Sequence, residues 1–232
     1  MLKMSLEIPL PNLEEFLPLT DFAFGLAHLC LPKYNKGYVD YCRMYKGCLL
    51  DNSMYELGDE PLPIDELREA ANACEARAVI APDWMDDFER TRRAAFELAD
   101  WSTIPAVGVV VQGKDLIERA YCFREFQKAG FRPICFPMRR PRTELISYLQ
   151  GLDCLEDDNW YHLLGLHSLE ELYRPPVQGR WSYDTAKPFK GVRLDQVKDI
   201  RGHGRLNLNK PLSVEERINA LWNIAYMRKL SL

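Results

Sequence analysis

Short apolar runs rich in β-branched residues alternate with amphipathic stretches through the middle of this chain. That alternation restricts the fold more than any other feature. The run Cys48 to Asp51 ends in a polar cluster, and Ile64 to Glu75 follows with Leu67, Ala70, Ala71 and Cys74 at helical spacing. Arg77 to Asp83 is the next apolar run, and Phe88 to Ala99 the next helix. Ala106 to Gln112 is a wholly apolar strand; Asp115 to Ala129 is a helix stopped by Gly130. Arg132 to Phe136, Tyr161 to Leu166 and Arg180 to Thr185 read as strands. Arg142 to Gln150 and Val214 to Leu230 read as helices, with Ser168 as the cap of a short one. Strands that alternate with helices pair in parallel, and runs apolar on both faces are covered on both sides.

Two architectures fit, a TIM-type (β/α)8 barrel and a doubly wound open sheet. No Gly-rich phosphate loop of the Rossmann or Walker type follows any strand, which removes the main signature of the open sheet. A first strand at Phe22 to Leu29 brings the count to seven. The eighth unit is irregular or incomplete, with Gly191 to Leu194 as its candidate. The expectation is one barrel domain spanning 1–232.

The 232 residues carry 30 Lys and Arg against 34 Asp and Glu, a net charge of −4, and 47% are hydrophobic. Those values argue against disorder, a collagen-like repeat or a coiled coil. No apolar run is long enough to span a membrane, and Met1 to Glu15 lacks a continuous apolar signal core. A cytoplasmic protein without membrane contact is expected, in the host cytoplasm if phage-encoded. The seven cysteines form no CxxC or CxC pair. Cys42 and Cys48 are the closest two, a weak zinc half-site. They read as reduced core thiols, with no metal and no cofactor expected.

Four strands end in a side chain able to do chemistry: Asp51, Asp83, Gln112 and Asp184. A barrel gathers its strand ends at one mouth. Asp at a strand end is also an ordinary helix cap, so each position alone carries little. Three carboxylates and a carboxamide together suit acid/base and nucleophilic carboxylate chemistry, and glycosyl transfer is the natural class.

Five segments resemble, in order, blocks of the tRNA-guanine transglycosylase (queuine tRNA-ribosyltransferase) superfamily. They are CLLDNSMYELG (48–58), VIAPD (79–83), VGVVVQG (107–113), YHLLGLHSLEEL (161–172) and WSYDTAKP (181–188). The first is closer to the phage and bacterial DpdA-type enzymes, which place 7-deazaguanines in DNA. The resemblance implies a pentosyltransferase in which Asp184 is the nucleophile and Asp51 the general acid/base. It implies that Asp83 and Gln112 read the base, with Asn52, Gly113 and Tyr55 as further binders.

The partners implied are DNA and a 7-deazaguanine base such as preQ0. A tRNA substrate, or a catalytically silent nucleic-acid-binding paralogue, is the alternative. A partner protein or a homodimer stays open. The tRNA enzymes carry a C-terminal CxCxxC zinc site with a later His; no Cys follows Cys154 here, so no zinc subdomain is expected, and no appended RNA-binding domain either. Ser53 and Met54 replace paired glycines. A phosphate track is expected along Arg139, Arg140, Arg142, Lys187, Lys190 and Arg193, with Arg201 and Arg205 beside His203. His162 reads as packing, and His167 as a weaker candidate for substrate contact.

Overall fold

A computed structural model of the protein describes residues 2–31, 36–44, 48–100, 105–138, 142–173, 176, 178–197 and 206–231. Its strands are β1 (Lys3–Leu6), β2 (Phe24–Leu26), β3 (Leu49–Asp51), β4 (Ala78–Ile80), β5 (Val107–Val110), β6 (Ile134–Pro137), β7 (Trp160–Leu164) and β8 (Arg180–Thr185). All pair in parallel, in the order β1-β8-β7-β6-β5-β4-β3-β2. The result is a TIM-type barrel, nearly closed, with a seam between β1 and β2.

Side chains rather than a strand ladder bridge that seam. Ser5 Oγ donates to Phe22 O (2.9 Å) and accepts from Phe24 N (3.0 Å). Thr20 Oγ1 accepts from Leu6 N (3.1 Å), Asp21 Oδ2 accepts from Met4 N (2.8 Å), and Asp21 N donates to Met4 O (2.8 Å). The edge N–H groups of Met4, Leu6 and Phe24 are thereby satisfied, as buried backbone requires.

The described helices are α1 (Leu13–Phe16), α2 (Ala27–Cys30), α3 (Lys36–Met44), α4 (Ile64–Cys74), α5 (Phe88–Ala99), α6 (Leu116–Lys128), α7 (Arg142–Gly151), α8 (Glu170–Tyr173) and α9 (Val214–Leu230). α4 buries Leu67, Ala70, Ala71 and Cys74, places Asp65 and Glu66 against its N-terminal dipole, and stops at Glu75 in the left-handed conformation. Asp87 caps α5, Asp115 caps α6, and a Ser213–Glu216 capping box opens α9. α8 is held through Glu171, whose carboxylate accepts from His167 N and Ser168 N. Outside β6–β8 an aromatic layer fills the space below the helices: Tyr161 and Trp181 lie 4.9 Å apart, and Phe136 and Trp181 5.7 Å apart. None of the described helices is long and apolar enough to cross a membrane.

The barrel expectation holds, with one displaced element. The eighth strand is β1, at the start of the chain, and Gly191 to Leu194 is not a strand. β8 is already flanked by β7 and β1, so no edge is left for it. The backbone there turns to α9 instead: Asn223 Nδ2 donates to Pro188 O and Val192 O, and Asn223 Oδ1 accepts from Leu194 N. The expected first strand, Phe22 to Leu29, shrinks to β2 because the chain turns helical at Ala27.

Candidate active site

A cavity of about 450 Å³ opens at the C-terminal ends of the strands, where barrels of this type place their chemistry. Glu7, Asp51, Asp83, Asp184, Lys187 and Lys190 line it. Asp51, Asp83 and Asp184 therefore meet around one space, as their strand-end positions imply.

Asp184 is 4% exposed and held from two sides. Its Oδ1 accepts from His162 Nε2 (3.0 Å) and from Gly165 N (2.8 Å). His162 lies inside the barrel, its ring stacked on Phe24 at 5.2 Å, and its Nδ1 meets Ser182 Oγ at 2.8 Å. Ser182 Oγ also accepts from Trp160 Nε1 at 2.7 Å and lies 3.4 Å from Tyr161 O. An ionised Asp184 can only accept, so the Nε2 proton faces it. Burial opposes ionisation of Asp184, but the His162 bond and charge, the Gly165 N–H and a hydrogen bond with Glu7 outweigh it, and its pKa is lowered.

Glu7, just beyond β1, is the opposite case. Burial, then the charge of Asp184 and a hydrogen bond to it, hold its pKa well above 4.5. Glu7 is thus the protonated partner of an ionised Asp184. A carboxyl with a raised folded pKa favours the fold fully below its unfolded value, and that contribution is lost as pH rises through the folded one. Glu7→Gln retains a donor toward Asp184 without that titration. We expect the melting temperature of Glu7→Gln, relative to the parent, to rise as pH is raised above the ordinary carboxylate range. Parallel melting curves for the two proteins as pH is raised would show that Glu7 ionises normally.

Asp51 is also shifted upward, by burial first and then by the charges of Glu56, Asp83 and Asp184, against a Ser53 N–H that Oδ2 accepts at 2.8 Å. Ser53 supplies that N–H from a left-handed backbone (φ 62°). Asp83 is gripped from behind by two carboxamides. Asn52 Nδ2 donates to its Oδ1 and Gln112 Nε2 to its Oδ2, both at 2.7 Å.

Several expected site residues fall elsewhere. Gln112 does not line the cavity; its amide is turned onto Asp83, and its Oε1 accepts from Asp86 N. Asn52 lines the cavity but also spends its amide on Asp83 and Ala81 O. Gly113 faces α6: a Cβ there would stand 2.9 Å from Arg119 N, so close helix approach explains the glycine. Tyr55, 42% exposed, stands at the cavity rim.

The expected phosphate track divides. Lys187 and Lys190 reach the cavity, whereas Arg193 pairs with Asp195 (3.1 Å) and stacks on Trp222 (4.0 Å). Arg142 is only 3% exposed and paired with Glu171 at 2.6 Å, so it is removed from any surface track. Arg139, Arg140, Arg201, His203 and Arg205 lie outside the described residues.

No protein-family profile matches this chain, and no curated protein sequence matches it. The site must be read from its own chemistry.

Glu7, which lines the cavity, and His162, which bonds Asp184, are the site residues that strand-end reasoning missed. The available signal for His162 was parity: it shares the inward face of its strand, in register with Ser182, two residues before Asp184. Glu7 offered only an acid after a short apolar run.

Proposed function

We propose that the protein is a base-exchange transglycosylase that replaces guanine in DNA by a 7-deazaguanine. One observation carries this reading: two carboxyl groups in a single cavity, Asp184 buried and Asp51 partly so, are driven in opposite directions, Asp184 toward the anion and Asp51 toward the acid. Such a split supports Asp184 as nucleophile and Asp51 as proton donor.

In the proposed reaction the Asp184 carboxylate attacks C1′ of the target nucleotide. The C1′–N9 bond breaks, and guanine leaves with the proton of Asp51. Asp51 then takes the N9 proton of the incoming base, whose N9 attacks C1′ and expels Asp184. Asp83, oriented by Asn52 and Gln112, would accept from the N1–H and 2-amino groups of the purine. Lys187 and Lys190 offer positive charge beside the nucleophile for the flanking phosphates. The choice of DNA rests on the resemblance of residues 48–58 to the DNA-modifying branch.

Nucleoside mass spectrometry of DNA and tRNA from cells that express the chain and make preQ0 tests the reading. A 7-deazaguanine in DNA is expected. The same base in tRNA alone overturns the choice of DNA, and its absence from both overturns the reaction. Asp51→Asn separates the two halves of the chemistry. Loss of proton transfer should slow exchange of labelled guanine by about 10²–10⁴-fold. The nucleophile remains, so a covalent protein–DNA band should still appear on a denaturing gel. Undiminished exchange would remove Asp51 from the acid/base role.

A further inference from the structure

The mouth of the cavity has two chemically different sides. The loops that follow β3 and β4 raise large apolar side chains beside it: Tyr55, Leu57 and Met85 are exposed, and Trp84 is half-buried. Tyr55 also lines the cavity, and Trp84 directly follows Asp83, which does. The two loops are tied into one surface. Trp84 Nε1 donates to Glu60 Oε2 at 3.2 Å, Arg90 pairs with the same carboxylate at 3.8 Å, and the Arg90 guanidinium lies 3.9 Å from the centre of the Trp84 ring. The loop after β3 is also folded on itself, with Leu57 N donating to Ser53 O and Asp59 N to Met54 O. Large apolar side chains exposed together mark a contact surface. The charges set among them are negative: Asp59, Glu60 and Asp87 are all exposed. The cations of the cavity stand on the far wall. Lys187 and Lys190 follow β8, and β4 lies four strands from β8, half-way round the barrel.

We propose that this rim is a stacking platform for unpaired bases, so that DNA enters the cavity as a single strand. The proposal rests on the reading of the protein as a DNA base-exchange enzyme and adds the strandedness of its substrate. A single strand carries phosphates along one edge and bases along the other. Laid across the mouth, it sets its phosphates toward Lys187 and Lys190 and its bases on Tyr55 and Trp84, with Leu57 and Met85 beside them. An aromatic ring stacks on any base, so such a platform holds a strand without reading its sequence. Arg90, stacked on Trp84 and paired with Glu60, fixes that ring in place.

A duplex does not fit the same mouth. It encloses its bases and presents phosphates around its outside. Those nearest the rim would meet Asp59, Glu60 and Asp87, which repel them, and apolar side chains that cannot solvate them. A base inside a paired helix is also out of reach of a buried nucleophile until it is unstacked, and a single strand needs no unpairing. The acidic charge of the rim thus acts as a filter: it turns phosphates away and leaves the rings to the bases.

Fluorescence anisotropy with the full chain and dye-labelled DNA tests the proposal. The probes are one guanine-containing strand, its duplex, and a strand of equal length built from abasic residues. The single strand should bind at least about 10-fold more tightly than either of the others. Tyr55→Ala changes an exposed side chain and should weaken single-strand binding by about 5- to 150-fold, with the salt dependence unchanged because no phosphate contact is lost. Tyr55→Phe keeps the ring and should bind like the parent. Tyr121→Ala, an exposed tyrosine on the outer helix α6, should do so too. Equal binding of single strand and duplex overturns the platform. Parent affinity in both Tyr55→Ala and Trp84→Ala overturns it as well, and so does a folded chain that binds none of the three probes. Binding is measured without turnover, so a failed platform leaves base exchange to be judged by the nucleoside analysis. A chain that stacks single strands but makes no modified base keeps the platform and loses the reaction.

Discussion

Asp184→Asn should reduce base exchange by roughly 10⁴-fold or more, the scale seen when a catalytic nucleophile is removed. The amide keeps the size of the side chain and an oxygen to accept from His162 and Gly165. It loses the charge that attacks C1′. The covalent band on a denaturing gel should vanish, unlike that of Asp51→Asn. DNA affinity should hardly change, because loss of an anion cannot weaken attraction to phosphates. A second signature follows from the shared cavity. Asp184 is among the charges that raise Asp51 and Glu7, so both should titrate lower in the variant. An adduct equal to that of the parent would place the nucleophile elsewhere.

Arg142→Ala should be the most destabilising of the single changes considered. Its guanidinium donates to both carboxylate oxygens of Glu171 at 2.6 Å, to Phe136 O at 3.0 Å, to Leu164 O at 2.9 Å and to Gly165 O at 2.6 Å. Truncation leaves a buried carboxylate without its cation and takes a donor from three carbonyls, at a cost of about 3–5 kcal/mol. That is a large part of the ordinary stability of a domain. The pH dependence should also change sign. Burial opposes ionisation of Glu171, but Arg142 holds its pKa below 4.5, so in the parent its stabilisation is present above that value and is lost as pH falls through the lowered one. Without Arg142 burial gains the upper hand, and the variant should be least impaired at low pH. Denaturant titrations at several pH values measure both effects. A loss within about 0.5 kcal/mol would return Arg142 to the surface.

The legible and illegible parts of this protein divide by range. Asp51, Asp83 and Asp184 each close a short apolar strand, and a barrel brings strand ends together whatever the details of packing. Asp83 and Gln112 were both readable as strand-end groups, but not the turn of Gln112 away from the cavity, which depends on Asp83 lying beside it. Arg142 follows a strand end, where a basic residue reads as surface. Only Glu171, far along the chain, draws it inside. β1 has four residues and is followed by Pro9 and Pro11, so nothing local marks it as a strand. Its identity comes from pairing with β8. The contacts of Cys30 with Cys42 and of Cys48 with Cys74 were not legible in the spacings, because each joins separate elements.

The pairing of β1 with β8 sets the order in which the site can come into being. Glu7 and Asp184 belong to nearly opposite ends of the chain, and Lys3–Leu6 finds its register only against Ser182–Thr185. Closing so long a loop carries an entropic cost before any contact offsets it, and pairings of this range are slow to form. During synthesis, the strands from β2 to β7 have neighbours available as they emerge, while β1 must wait for β8. Until it docks, Asp184 has no Glu7 proton beside it and the cavity has no wall on that side. A half-made chain therefore carries the acids without the environment that sets them apart, and the carboxylate proposed to attack glycosidic bonds gains its full setting only when the first strand meets the last.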